Sequence, residues 1–205
     1  MHRKFFVGMI VAGLLAGGST VASAQEVFTP VFKAPYRAFT NYEIGGMFSD
    51  PEGRDYALEG FYGVGRGRND FGVRIAYQSF GGGGDAIGVG GSFRTRVLQY
   101  SSNFPLDGAL TLGAGALFSE GDDIFTIPVG LSLGRRILLE GSSTSFVPYA
   151  HPVMAASFGS GESDVDFVLG LGVDIRFGQN LDVRVSAGLG ADTWSGVGIG
   201  LAFVR

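Results

Sequence analysis

From Val165 onward the chain alternates with a period of two. Val165, Phe167, Leu169, Leu171, Val173, Ile175 and Phe177 share one parity, while Asp166, Gly170, Gly172, Asp174 and Arg176 share the other. Successive side chains of a strand point to opposite faces, so this spacing makes one face apolar and the other small or charged. The same texture runs through most of the chain and predicts strands over roughly 36–49, 56–66, 71–80, 86–98, 106–119, 124–138, 145–158, 165–177, 181–190 and 196–205. Between them lies turn chemistry: Asp50-Pro51-Glu52-Gly53, Gly67-Arg68-Asn69-Asp70, Gly81 to Asp85, Glu120-Gly121-Asp122-Asp123, Gly159-Ser160-Gly161 and Gly178-Gln179-Asn180. Regularly spaced breaks without a linker predict one up-and-down meander of hairpins over 36–205. Residues 25–35, with Pro30 and Pro35, read as an irregular lead-in.

Alternation alone does not say where the apolar face points. A soluble barrel or sandwich would turn it inward to a core and set polar residues against water. Here the second face is repeatedly glycine, which weakens an exposed strand that has no packing reason for it. Lys33 is the only lysine after Ala24, beside twelve arginines, whereas a solvated surface is usually rich in lysine. These features, with a positive mean hydropathy, predict the inverse arrangement. The expected fold is all-β: a single antiparallel up-and-down transmembrane β-barrel of about ten strands, with eight as the alternative. Most of the predicted strands have the roughly 9–11 residues that cross a bilayer at a tilt.

The first residues agree with that location. Met1-His2-Arg3-Lys4 is basic, Phe5 to Leu15 is almost wholly apolar, and Ala22-Ser23-Ala24 is a small-residue cleavage site. This is the pattern of a secretory signal peptide over 1–24, cleaved after Ala24. Its apolar run is short and broken by Gly8 and Gly13, unlike a membrane-spanning helix. No later stretch has the roughly 18 apolar residues that would stop transfer at the inner membrane. The expected destination is the outer membrane. Cysteine is absent, so disulfides play no part.

Charge provides an independent test of the strand order, because alternate turns of a meander lie at opposite ends of a barrel. Odd turns and their flanks carry eleven carboxylates and one arginine: Asp50, Glu52, Arg54, Asp55, Asp85, Glu120, Asp122, Asp123, Glu162, Asp164, Asp166 and Asp192. Even turns and their flanks carry seven arginines, Arg66, Arg68, Arg94, Arg96, Arg135, Arg136 and Arg176, against Asp70, Asp107, Glu140 and Asp182. A miscounted strand would mix the two classes. With the mature N-terminus in the periplasm, the acidic rim faces outward.

With the apolar parity turned out, inward positions include Glu43, Glu59, Arg74, Arg94, Arg96, Arg136, Asp174, Arg176 and Arg184, interspersed with glycines such as Gly63, Gly88, Gly90, Gly113, Gly115, Gly130, Gly188 and Gly198. An isolated buried charge is very costly, so arginine–carboxylate bridges across the lumen are expected. Barrels of this size tend to be filled by side chains, which favours a closed ion-paired lumen with a mainly structural role. A narrow channel for ions or small solutes is the alternative, because the glycines leave room for water.

Catalytic patterns are weak, and no enzyme activity, cofactor or metal site is expected. His151 is the one histidine after Ala24; it could act as a general base beside a serine and a carboxylate, as in an outer-membrane hydrolase. Ser157 and Ser160 are near in sequence, yet no G-x-S-x-G elbow is present. Gly63-Val64-Gly65, Gly170-Leu171-Gly172 and Gly196-Val197-Gly198-Ile199-Gly200 alternate along strands and complete no nucleotide loop. Asp122-Asp123 and Glu162, Asp164 and Asp166 offer hard oxygen ligands without EF-hand spacing. The formal charge of −4 argues against nucleic acid. Outer-membrane lipid and lipopolysaccharide are the expected partners of the mature chain, which is expected to be a monomer.

Phe146-Val147-Pro148-Tyr149-Ala150, Gly170 through Phe177, Asn180-Leu181-Asp182-Val183-Arg184 and the glycine-rich last strand resemble the C-terminal half of OmpA-like, porin-family outer-membrane barrel domains, best over 145–205. The resemblance implies a membrane barrel without catalytic residues, assembled by the barrel-assembly machinery. Members of that family often have eight strands and usually end on an aromatic residue. Here Phe203 stands two places before Arg205, and the peptidoglycan-binding domain of that family is not expected.

Overall fold

The computed structural model describes residues 26–81, 84–121, 123–159, 161–190 and 194–205; the predicted signal segment lies outside them. The strands are β1 (Tyr42–Pro51), β2 (Tyr56–Arg66), β3 (Asn69–Phe80), β4 (Gly84–Leu98), β5 (Asp107–Ser119), β6 (Ile124–Gly134), β7 (Ile137–Leu138), β8 (Ser145–Gly159), β9 (Glu162–Phe177), β10 (Leu181–Gly190) and β11 (Gly196–Val204). Each long strand pairs antiparallel with the next. β6 pairs directly with β8, from Ile124↔Gly159 to Gly134↔Tyr149, and the two-residue β7 only extends the β8 edge. β11 returns to β1, from Glu43↔Val204 to Pro51↔Gly196, and closes the sheet. The result is a ten-stranded up-and-down barrel with no open edge.

Turn chemistry sets the strand ends. β2 and β3 meet at Arg66↔Asn69, with Gly67 at φ 60° in the two-residue connection. That left-handed position costs glycine nothing and matches the twist of a hairpin. Two predicted boundaries differ from the structure by more than three residues. The sixth predicted strand, 124–138, stops at Gly134, because Arg135 and Arg136 leave the ladder before the chain resumes pairing as β7. The first, 36–49, begins only at Tyr42; residues 36–41 belong to an irregular segment that starts at Glu26.

The barrel is built with its apolar face outward. Ile75 is 57% exposed, Phe167 61% and Leu201 55%, whereas inward Glu59 is 4% exposed and Arg74 9%. This is the surface of a transmembrane barrel, in which lipid takes the place of water around the wall. Outward aromatics gather near both ends of the strands. Phe48, Tyr56 and Tyr77 stack in one group; Tyr42 with Tyr62 and Phe71 with Phe93 lie toward the other end. Two aromatic levels flanking an aliphatic band are the girdles of a membrane-embedded barrel.

The connections after β1, β3, β5, β8 and β10 lie at one end, and those after β2, β4, β6 and β9 at the other. The described residues of the acidic and basic turn classes are therefore separated in space, Asp122 and Asp192 lying outside the described residues, with the start of β1 and the end of β11 both at the basic mouth. Placing arginine at Ile75, in the middle of β3, is expected to cost about 2–4 kcal/mol in lipid, read from reversible urea unfolding. An effect below about 0.5 kcal/mol would show that this face does not meet lipid.

Candidate functional site in the barrel lumen

The lumen is occupied by the chain's own residues 26–41. The NH groups of Thr40, Asn41 and Tyr42 donate to the carbonyl of Arg205 at the basic mouth. From there the segment crosses to the acidic mouth, where Phe28 meets Trp194 with ring centroids 6.2 Å apart. Phe28 has φ 59°, a left-handed conformation unusual for a bulky residue and of order 1–3 kcal/mol in cost. This reverses the chain, so that Val27 and Glu26 turn back beside β4 and β5.

Inward glycines make the space. A Cβ on Gly113 would lie 2.6 Å from Cγ of Glu26, and one on Gly88 3.1 Å from Cβ of Val27. A side chain on Gly115 would run into the Glu26 carbonyl, and one on Gly170 into the Phe32 ring. The alternation of glycine on the inward parity is thus the imprint of a segment distant in sequence.

An irregular backbone inside a membrane barrel needs partners for its polar groups. The wall supplies them from side chains. Gln78 Nε2 donates to the carbonyl of Val27 at 2.5 Å, Ser186 Oγ to Pro30 at 2.6 Å, Tyr149 OH to Phe32 at 3.0 Å and Ser132 Oγ to Lys33 at 2.5 Å. Arg54, Arg74, Arg94 and Arg176 donate to the carbonyls of Phe28, Val31, Ala34 and Ala38. Apolar packing follows the same path. Phe32 and Ala34 pack with Val147, Tyr149, Val153, Val168 and Trp194; Val31 and Phe39 pack with Met47, Phe61, Ala202 and Val204; Phe28 packs with Ala86 and Leu117. Every one of these interior clusters has the segment as a member.

Charges form pairs around the segment. Arg74 lies 2.9 Å from Glu59 and 3.4 Å from Glu26, and Glu26 lies 3.5 Å from Lys33. Thr29 Oγ1 donates to Glu59 at 2.6 Å. Arg184 pairs with Glu43 and reaches Asp182 at 3.6 Å and Asp174 at 3.9 Å, while Arg176 pairs with Asp182 and Arg94 with Asp70. Glu43, Glu59, Arg74, Arg94, Asp174, Arg176 and Arg184 therefore meet carboxylate or guanidinium partners as their parity predicts. Arg96 and Arg136 do not. Both are exposed at the basic mouth and meet no carboxylate among the described residues, since Arg136 lies beyond the end of β6 and stacks 4.7 Å over Tyr36 instead. Tyr36 in turn hydrogen-bonds Asp107.

His151 belongs to the wall that grips the segment. The NH of Lys33 donates to its Nδ1 at 3.4 Å, which leaves the proton on Nε2 to donate to Thr111 Oγ1 at 2.8 Å. Its ring also meets Phe32 edge-on at 5.9 Å. Ser157 instead bonds Thr126, and Ser160 lies outside the described residues. Of the acidic candidates, Asp123, Glu162, Asp164 and Asp166 lie at the acidic mouth and Asp122 lies outside the described residues. Among the described residues no group of three or more His, Cys, Asp or Glu side chains is placed to hold a metal ion. Reading from sequence missed Glu26, Thr29, Lys33 and Tyr36 as lumen residues. The available signal was the run of inward glycines, which requires something bulky opposite.

What space remains is small. A void of about 30 Å³ lies among Phe32, Lys33, Arg74, Arg94, Asp174 and Arg184, and one of about 10 Å³ beside His151. These hold on the order of one to three waters. A larger cavity of about 270 Å³ opens at the basic mouth.

No family model matches the chain, and no curated protein matches it in sequence. Among solved structures it is similar to a bacterial polysaccharide outer membrane secretin, at 16% identity and a TM-score of 0.47, over 73% of this chain and 56% of that one. It thus spans little more than half of the secretin chain. It is also similar to the beta domain of the Bordetella autotransporter Brka, at 14% identity and a TM-score of 0.47, over 80% and 98% of the two chains. A third likeness is to KdgM porin, at 7% identity and a TM-score of 0.40, over 80% and 99%. At such scores the likeness goes no further than general architecture.

Gly115→Leu is expected to push Glu26 and the segment out of the lumen, exposing Lys33 and Arg37 to trypsin while the native barrel protects both. Equal protection in the two proteins would show that the segment is not held there. Arg74→Met, which strands Glu59 and Glu26 without their shared guanidinium, is expected to cost about 3–5 kcal/mol in urea unfolding. Arg66→Gln, on the exposed rim, is expected to stay within about 0.5 kcal/mol of the parent.

Proposed function

We infer that this chain is a structural outer-membrane β-barrel, anchored by its apolar belt and closed by its own N-terminal segment. The observation that carries the reading is the occupation of the lumen by residues 26–41, fitted to inward glycines and bonded to wall side chains. The signal-like pattern over 1–24 and the resemblance of 145–205 to OmpA-like, porin-family barrels support export and the outer membrane. In this reading the wall meets lipid and lipopolysaccharide, the barrel is inserted by the assembly machinery, and the protein works as a monomer. His151 serves as a clamp on the segment, so catalysis has no part in it.

A channel would need the segment to leave. The refolded chain in planar bilayers is expected to show no steady unitary current, and a variant lacking residues 26–37 is expected to conduct. Steady currents from the intact protein would overturn the closed-barrel reading in favour of a narrow channel.

A further inference from the structure

We propose that the basic mouth is a binding site for a small soluble polyanion, one that carries phosphate or carboxylate oxygens. The cavity of about 270 Å³ is lined by Arg37, Arg68, Arg94, Arg96 and Arg136, with Asp70 as its carboxylate. Arg94 consumes that carboxylate, Nε to Oδ2 at 2.9 Å. Arg37, Arg68, Arg96 and Arg136 then have no carboxylate partner among the described residues. Four like charges around one small space repel one another, and an anion relieves all of them at once.

Two of these guanidiniums are held in place. Arg37 donates from Nε to the carbonyl of Phe39 at 3.0 Å and from Nη1 to that of Asn69 at 2.8 Å. Arg136 is stacked on Tyr36, whose hydroxyl is itself fixed by Asp107 and accepts the Arg136 NH at 3.2 Å. The NH of Arg96 donates to the carbonyl of Arg68 at 3.2 Å, which ties the β2–β3 turn to β4 and brings both residues to one side of the cavity. Oriented guanidiniums present planar forks that match phosphate and carboxylate oxygens in pairs.

Size and position narrow the ligand. The volume lies just below the usual range of ligand pockets, which suits a compact solute. The walls come from Asp70, Arg94 and Arg96 of β3 and β4, from Arg68 in the β2–β3 turn, from Arg136 past the end of β6 and from the luminal segment, so the site opens at the mouth. Asp70 and Arg94 form its inner wall and are buried inside the barrel, away from the face that meets lipid. The same phosphate chemistry therefore points to a soluble anion.

The test uses the refolded protein in zwitterionic detergent at low ionic strength, with pyrophosphate as the probe and calorimetry as the readout. The expected result is one saturable site, weakened at least about tenfold in Arg96→Gln/Arg136→Gln and unchanged in Arg135→Gln, whose guanidinium lies over Tyr100. Retained resistance to unfolding without boiling in detergent gels identifies variants that are folded. Absence of saturable binding overturns the proposal, as does equal weakening by Arg135→Gln, which marks a diffuse basic surface. Loss of pyrophosphate binding in bilayers containing phosphatidylglycerol would assign the mouth to a lipid headgroup and overturn the soluble-anion reading.

Discussion

The structure depends on the hydrogen bonds between the wall's side chains and the backbone of residues 26–41. A barrel turned inside out for lipid keeps most of its apolar residues on the outer face, and its buried apolar clusters each include the segment. Its interior must be filled with groups that satisfy one another in a place of low dielectric. Here the filling is a stretch of chain without regular structure, and eight of its carbonyls, from Val27 to Ala38, are met by donors from the wall. Without them the segment would place unpaired polar backbone in a closed space.

This constraint explains features that are otherwise separate. Glycine on the inward face provides room at Gly113, Gly115 and Gly170, where any side chain would meet Glu26 or Phe32. Arginine predominates because its guanidinium can hold a carboxylate with one edge and a carbonyl with another, as Arg94 does with Asp70 and Ala34. Arg74 joins Glu59 on the wall to Glu26 on the segment, so the ion-pair network and the filling stabilise the same arrangement. The network thins out toward the basic mouth, where water and solutes can reach the guanidiniums.

Strand pattern and turn chemistry were legible at nearly every position that faces lipid. Period-two alternation located the ten long strands, and the segregation of acidic and basic turns assigned their ends, because lipid and water impose sharply different requirements on successive residues. The beginning of β1 was not legible. Tyr36, Phe39 and Thr40 have the side chains of a strand, and local preference does not reveal that this backbone bonds Arg176 and Arg205, or that the Tyr36 hydroxyl bonds Asp107.

The candidate site divides in the same way. Parity alone identified Glu59, Arg74, Arg94 and Arg184 as inward and in need of partners, since a lone buried charge is intolerable. Which partners they take was decided by the tertiary structure, because Glu26 and Lys33 lie far from those strands in sequence and come to them only through the closed sheet. The sequence by itself determined a membrane barrel with a charged, glycine-lined interior. Only the tertiary structure decided that this interior is filled by the chain, because glycine marks space without naming its occupant, and the occupant is set by contacts that barrel closure creates.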